Sequence, residues 1–310
     1  MSKSTSKAIP PLLKPLLHPT TLKKNSLLVL TGVLGATTNW LVLRYLYAQL
    51  SAPATQEDAP DEDESASVVL VSFMRDGAFW REGASKLVAN ENKKGLDLDS
   101  LRQRRRFAFV DGLSGLFVSP PKNSSDRILT SPDLSYVMTN IIQALDHDVD
   151  ASPRKVLIID QIDVLVATTG LASEAMQSAL LSLREVLLPL FHFHSSKSMS
   201  SRTAMHILQR VDATVLTLAA DDPLIHTQTT RLEREHASLV LSHAHAARTV
   251  VALRRLDSGP APDVSGVMRI SSRRRHPFDG DNDAPLPPDA EYLYHVAADG
   301  SVTVFERGAK

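Results

Sequence analysis

Apolar and polar positions alternate along this chain in blocks that predict strands separated by helices. Leu27 to Leu30 is a near-continuous apolar run, broken at Thr31-Gly32-Val33-Leu34-Gly35-Ala36-Thr37-Thr38, and a second apolar segment opens at Trp40. That order predicts a buried strand, a glycine-containing turn and a helix. Further short apolar, β-branched runs at Val68–Phe73, Phe107–Val110, Val156–Ile159 and Ala213–Leu218 predict four more strands. Between them, helices are expected over Ala78–Leu87, near Ser131–Leu145 with Asp133 in the first turn, and over Thr230–Ala247. Another is expected from Ser173, as a cap, with Met176, Leu180, Leu183, Leu187 and Leu190 on one face, and a further one leading up to Ala213. Later strands are expected at Val250–Leu256 and Val267–Ser271, with a hairpin of Tyr292–Val296 and Ser301–Phe305 over Asp299-Gly300.

Strands alternating with helices imply an α/β fold: a mostly parallel central sheet flanked by helices, with antiparallel edge strands from the last segments. Residues 1–25, rich in Ser, Lys and Pro, read as a flexible N-terminal tail that packs only in part. Residues 26–310 read as a single domain containing an acidic loop at 51–67 and a Pro/Asp-rich loop at 257–290. The Ser-rich stretch His194–Ser201 reads as a flexible connector.

Length and composition add bounds. The chain has 310 residues, 43% hydrophobic and 22% charged, with a formal charge of −1, enough for one large α/β core. Cysteine is absent, which removes disulfides, thiolate metal sites and cysteine nucleophiles. A membrane span over Ser26–Leu50 has the right length, but Thr31, Thr37, Thr38, Asn39, Arg44 and Gln49 interrupt it, so a strand–turn–helix unit is preferred.

In a nucleotide-binding α/β protein, the turn after the first strand cradles phosphates and carries a lysine. Here the lysine is missing in either register. Aligning Gly32 with the first glycine puts Thr37, Thr38 and Asn39 at the glycine, lysine and hydroxyl positions. Aligning Gly35 with the second puts Ala36 at the lysine and Leu30 at the first glycine. Ligands of open α/β sheets sit beyond the carboxyl ends of strands, so Thr31-Gly32, Arg75-Asp76, Asp111, Asp160 and Asp221 are the groups to inspect. Asp160 has the form of a Mg²⁺-holding aspartate and equally of a strand-terminal turn residue.

Basic clusters occur at Arg102 with Arg104, Arg105 and Arg106, at Arg254-Arg255, and at Arg273, Arg274 and Arg275 followed by His276. Such runs can anchor RNA phosphates or form solvated faces. The first precedes the third strand and so belongs to the edge opposite any nucleotide site. His192 and His194, and His243 and His245, have a spacing that suits a metal only on a strand. No metal or cofactor is expected, and neither a G-x-S-x-G elbow nor an H-E-x-x-H helix is present.

The segments TGVLGATTNWLVLRYL (31–46), VVLVSFMRDGAFWREGASKL (68–87), GLDLDSL with RFAFVDGLSGLF (95–117), VLIIDQIDVLVATTG (156–170) and DVSGVMRIS (263–271) resemble the fungal form of subunit 6 of the Elongator complex. The likeness runs from about Lys24 to about Ser271 and departs chiefly in the acidic loop. It implies a RecA-like domain without working Walker motifs, an accessory subunit rather than an enzyme. It further implies a heterohexameric ring with subunits 4 and 5 beside the remaining Elongator subunits, no membrane, and a cytoplasmic and also nuclear location. The implied role is tRNA binding in support of wobble-uridine modification. The family supplies no catalytic residue; Arg104, Arg105, Arg106, Arg273, Arg274 and Arg275, with the Asp221–Thr230 loop, are the expected tRNA contacts. The competing expectation is a divergent P-loop NTPase with its own nucleotide turnover.

Overall fold

The computed structural model describes residues 9–22, 26–51, 66–87, 95–118, 124–149, 154–189, 205–209, 211–259, 261–273 and 287–306. The acidic loop beyond Ser51, His192 and His194, the connector at 194–201, and Arg274 and Arg275 lie outside them.

Seven strands run parallel at the centre: β1 (Ser26–Gly32), β2 (Ala66–Ser72), β3 (Phe107–Asp111), β4 (Arg127–Ile128), β5 (Arg154–Asp160), β8 (Ala213–Ala219) and β9 (Thr249–Arg254). Three antiparallel strands, β10 (Gly266–Ser272), β11 (Ala290–Val296) and β12 (Val302–Glu306), extend one edge. The order is β12-β11-β10-β9-β1-β8-β5-β2-β3-β4. This is the mostly parallel sheet with antiparallel edge strands that the pattern predicted. A separate two-stranded antiparallel ribbon pairs β6 (Glu185–Pro189) with β7 (Met205–Gln209).

Because side chains alternate across a strand, the fully apolar central strands bury both faces. Leu28, Leu30, Val68, Leu70, Val156 and Ile158 pack on one side, under α2 (Asn39–Leu50), α3 (Gly77–Ser85) and α4 (Leu98–Gln103). Leu27, Val29, Val69, Val71, Leu157 and Ile159 pack on the other, under α6 (Leu134–Gln143), α7 (Asp163–Thr169), α8 (Ser173–Arg184) and α9 (Arg231–Ala246). The N-terminal stretch contributes as well: around the short helix α1 (Lys14–Leu17), Leu13, Leu16, Leu17 and Leu22 are buried in the first of these cores. A further short helix, α5 (Ser114–Phe117), follows β3.

Three expectations are corrected. The helix from Ser173 ends at Arg184 rather than running to Leu190; Leu187 lies in β6. Pro189 disfavours helical backbone at Leu188, and the β-branched Val186 favours a strand. The helix expected before Ala213 is absent from residues 205–209, which form β7. Ser173 is the first helical residue rather than the cap, and its hydroxyl donates to Ser238 Oγ at 3.0 Å. The Ser26–Leu50 segment is β1 followed by α2, and among the described residues no helix is long and apolar enough to cross a membrane.

Candidate functional site: the carboxyl edge of the sheet

The loop between β1 and α2 is a closed turn. Val33 and Ala36 form an isolated antiparallel bridge, Ala36 N donates to Val33 O at 2.8 Å, and Gly35 has φ 87°, a conformation that favours glycine. A Cβ on Gly32 would lie 2.8 Å from the Ala36 carbonyl oxygen, so the chain folds back tightly on itself. The Arg255 side chain lies over Gly35, its Cδ and Nε 3.5 Å from where a Cβ would sit. At the tip, Leu34 N donates to Asp221 Oδ1 at 2.8 Å, while the Leu34 side chain is 82% exposed. A phosphate-cradling loop leaves its N–H groups open to an incoming anion. Here the protein's own carboxylate, from the end of β8, holds that position.

The other strand ends are also tied internally. Asp160 is fully buried; it accepts from Ser72 Oγ and Thr217 Oγ1, each at 2.8 Å. Burial pushes its carboxyl above the usual range, against the pull of the two hydroxyls and of Arg75. Gln161, next in the chain, has φ 57° and donates from its backbone to Thr217 Oγ1 at 2.9 Å. A carboxylate with both oxygens engaged by neighbouring strands is held as a cross-strand clamp. Asp111 accepts from Leu113 N, Ser114 N and Ser114 Oγ, and Asp76 accepts from Phe79 N as the α3 cap. Arg75 lies 5.1 Å over the Phe79 ring.

Sequence inspection passed over a buried pair beside Asp160. Asp163 accepts from Ala219 N at 3.1 Å, and its Oδ2 lies 3.9 Å from His236 Nδ1 on α9. His236 Nε2 is 2.8 Å from the Ala219 carbonyl oxygen, which can only accept, so that nitrogen carries the hydrogen. Burial pushes the Asp163 carboxyl up to about 6; the Ala219 amide and His236 pull against it, and Asp160 adds to the rise. His243 and His245 lie on α9, where residues two apart point to different sides; His243 bonds the Leu239 carbonyl through Nδ1.

Large apolar side chains stand exposed at this edge: Leu34 after β1, Met74 after β2, and Phe117 and Val118 after β3. Beside the loop a cleft of about 470 Å³ opens between α2, α3 and the β11–β12 turn. At its side Arg44 is buried, donating to Gly300 O at 2.7 Å and Trp40 O at 3.2 Å, and burial lowers its guanidinium to about 10.

Arg254 and Arg255 end β9 at this same carboxyl edge, whereas Arg102, Arg104–Arg106 and Arg273 lie at the opposite, amino edge. Arg104 is exposed, whereas Arg106 is half-buried and donates to the Ala66 carbonyl at 3.2 Å, so it fastens the start of β2. Arg105 occupies a left-handed position, φ 56°, where α4 ends, with Arg106 N bonding back to Leu101 O. Glycine is the usual residue there. Its guanidinium donates to the His147 carbonyl. Arg273 is exposed and follows β10, whose end pairs with the start of β9. Arg104–Arg106 and Arg273 therefore share one edge of the sheet, six strand spacings of ~4.8 Å apart, roughly 29 Å. The Asp221–Thr230 loop is at the other edge, following β8.

No protein-family model matches the chain. An Elongator complex protein 6 homolog from Schizosaccharomyces pombe is 27% identical over 217 residues, covering 70% of this chain and 72% of that protein. Among solved structures, a KaiC-like protein from Pyrococcus horikoshii superposes with a TM-score of 0.52 over 97% of this chain and 98% of that one, at 15% identity, a likeness of fold. The chain is thus an α/β protein of the RecA and KaiC fold that is homologous to Elongator subunit 6.

Proposed function

We propose that this chain is a non-catalytic subunit of Elongator, forming a heterohexameric RecA-type ring with subunits 4 and 5 that binds tRNA and supports wobble-uridine modification, in the cytoplasm and the nucleus. Similarity to the Schizosaccharomyces pombe Elongator protein supports membership of the complex, and the Leu34–Asp221 bond in a loop without a lysine carries the non-catalytic part of the reading. Phosphoryl transfer needs open amides and a cation on the β- and γ-phosphates. Here one amide is taken by a carboxylate, and Asp160 has both oxygens engaged.

The exposed Leu34, Met74, Phe117 and Val118 favour a protein neighbour at that edge. tRNA is then left to the amino edge, where Arg104, Arg105 and Arg273, with Arg274 and Arg275 next in sequence, would neutralise phosphates; Arg106 serves packing more than contact. Co-expression with subunits 4 and 5 and a native mass spectrum test the assembly. A hexamer with equal numbers of the three chains is expected. A monomer beside intact partners would overturn the reading, and ATP turnover by the chain alone would favour the divergent NTPase.

A further inference from the structure

We propose that a pocket between α8 and α9, on the sheet face away from α2, binds a small neutral phenol, a benzene-sized ring with one hydroxyl. Its floor comes from three adjacent central strands: Thr214 of β8 lies in register between Leu27 of β1 and Leu157 of β5, and all three line the pocket. Ile159 and Leu216, two residues further along β5 and β8, continue the floor on the same face, and Leu180 and Leu183 of α8 form a wall. The pocket holds about 160 Å³, the scale, roughly 150 Å³, at which an apolar cavity takes up benzene.

Two polar groups set the substituent on the ring. Thr214 is 4% exposed, and its hydroxyl has no hydrogen-bond partner among the described residues. A buried hydroxyl in that state has given up its bond to water, so a ligand that supplies a partner gains what the fold leaves unmade. A turn about χ1 toward the pocket breaks no bond, because the hydroxyl makes none where it stands. His243 on α9 forms the other side. Its Nδ1 lies 2.8 Å from the Leu239 carbonyl oxygen, which can only accept, so Nδ1 carries the hydrogen and Nε2 is an acceptor. Burial holds the imidazole below its usual range and so neutral; Arg184 adds to this, and the Leu239 bond pulls against it. A phenol carries both halves of the match: its O–H donates to the histidine nitrogen, and its oxygen accepts from the threonine hydroxyl.

The rim disfavours a protein segment and a charged ligand. The lining residues that reach solvent are Gln177, Leu181, Arg184, Ser242 and Ala246, and of these only Leu181 is a large apolar side chain. A protein interface needs a broader apolar core than one leucine. A carboxylate on the ring would lose its water against a floor of leucines and face the lone pair of a neutral histidine.

The full chain is titrated by calorimetry with phenol, toluene, benzoate and N-acetyltyrosinamide. Toluene has the shape of phenol without its hydroxyl. Phenol is expected to saturate and to bind at least as tightly as toluene, although toluene leaves water more readily. Thr214→Val, which keeps the shape of the side chain and removes its hydroxyl, is expected to weaken phenol binding about five-fold, the scale of one hydrogen bond. Toluene affinity and the thermal melt should not change in that variant. No saturation with phenol, tighter binding of toluene or benzoate, or undiminished phenol affinity in Thr214→Val would overturn the proposal. Tighter binding of N-acetyltyrosinamide than of phenol would overturn it in favour of a tyrosine from a protein neighbour. The comparison of phenol with toluene on the native chain decides the matter even where the variant fails to fold. No partner chain or nucleic acid takes part, so failure here leaves the hexameric ring standing, and failure of that ring leaves this result intact.

Discussion

Leu34 and Asp221, 187 positions apart in the chain, meet at 2.8 Å, the amide of one donating to the carboxylate of the other. The contact ties the turn after β1 to the loop after the neighbouring β8 and leaves the Leu34 side chain directed outward. Asp221→Ala is expected to destabilise the fold by about 1 kcal/mol, the scale of one partly exposed hydrogen bond, measured by urea denaturation. It should not create ATP turnover, because the loop still lacks a lysine.

Leu34→Asp changes a side chain with little packing to lose. Its unfolding free energy from urea denaturation should match that of the native protein to within about 0.5 kcal/mol. If the carboxyl edge meets a protein neighbour, the same variant should fail to co-purify with subunits 4 and 5, because the interface would have to bury an unpaired charge.

Asp163 makes stability depend on pH. Its folded-state value, about 6, lies above the ordinary 3.8, so the native state binds the extra proton more tightly than the unfolded chain does. The stabilisation is fully present below about pH 4 and is lost as pH rises through about 6. Asp163→Asn mimics the protonated form. Relative to the native protein it should gain stability from pH 4 to pH 7 by a few kcal/mol at most, about 1.4 per pKa unit. Parallel urea curves across that range, one for each protein, give the measurement; a constant difference would mean that Asp163 is ionised throughout.

Arg105 offers a test of RNA binding that does not endanger the fold. Arg105→Gly removes a cation, relieves a left-handed backbone worth about 1 kcal/mol and gives up the bond to the His147 carbonyl, worth a similar amount. The melting temperature should therefore stay near that of the native protein. A fall in tRNA affinity, with a salt dependence shallower by about one unit, would assign Arg105 a phosphate. Unchanged affinity would remove it from the contacts.

Leu17→Ala tests how far the N-terminal stretch belongs to the domain. Leu17 is fully buried, and its truncation should cost about 3 kcal/mol. A loss below about 0.5 kcal/mol would mean that the stretch is dispensable.

Much of the architecture was legible because the central strands are buried on both faces. Short continuous runs rich in β-branched residues, such as VLII at 156–159, suit a strand buried on both faces, and the expected strands at 27–30, 68–73, 107–110 and 213–218 fall on β1, β2, β3 and β8 with ends shifted by at most two residues. The ribbon of β6 and β7 was hidden, since the leucines of 180–190 also fit a helical stripe until Pro189 is given its weight. The two-residue strand β4 has no pattern of its own; it exists because Leu129 N reaches the Asp111 carbonyl.

The sequence by itself determined the alternation of strands and helices, the antiparallel hairpin at the end, the missing lysine and the likeness to Elongator subunit 6, because each is written in local spacing or in a short motif. Only the tertiary structure decided the strand order that brings β8 beside β1, and with it the meeting of Asp221 with Leu34, of Ser72 and Thr217 with Asp160, and of Trp40 with Tyr294. Hydrophobic periodicity fixes which face of a strand is buried. It carries no information about which strand comes next in the sheet, and the polar contacts at the strand ends follow from that neighbour.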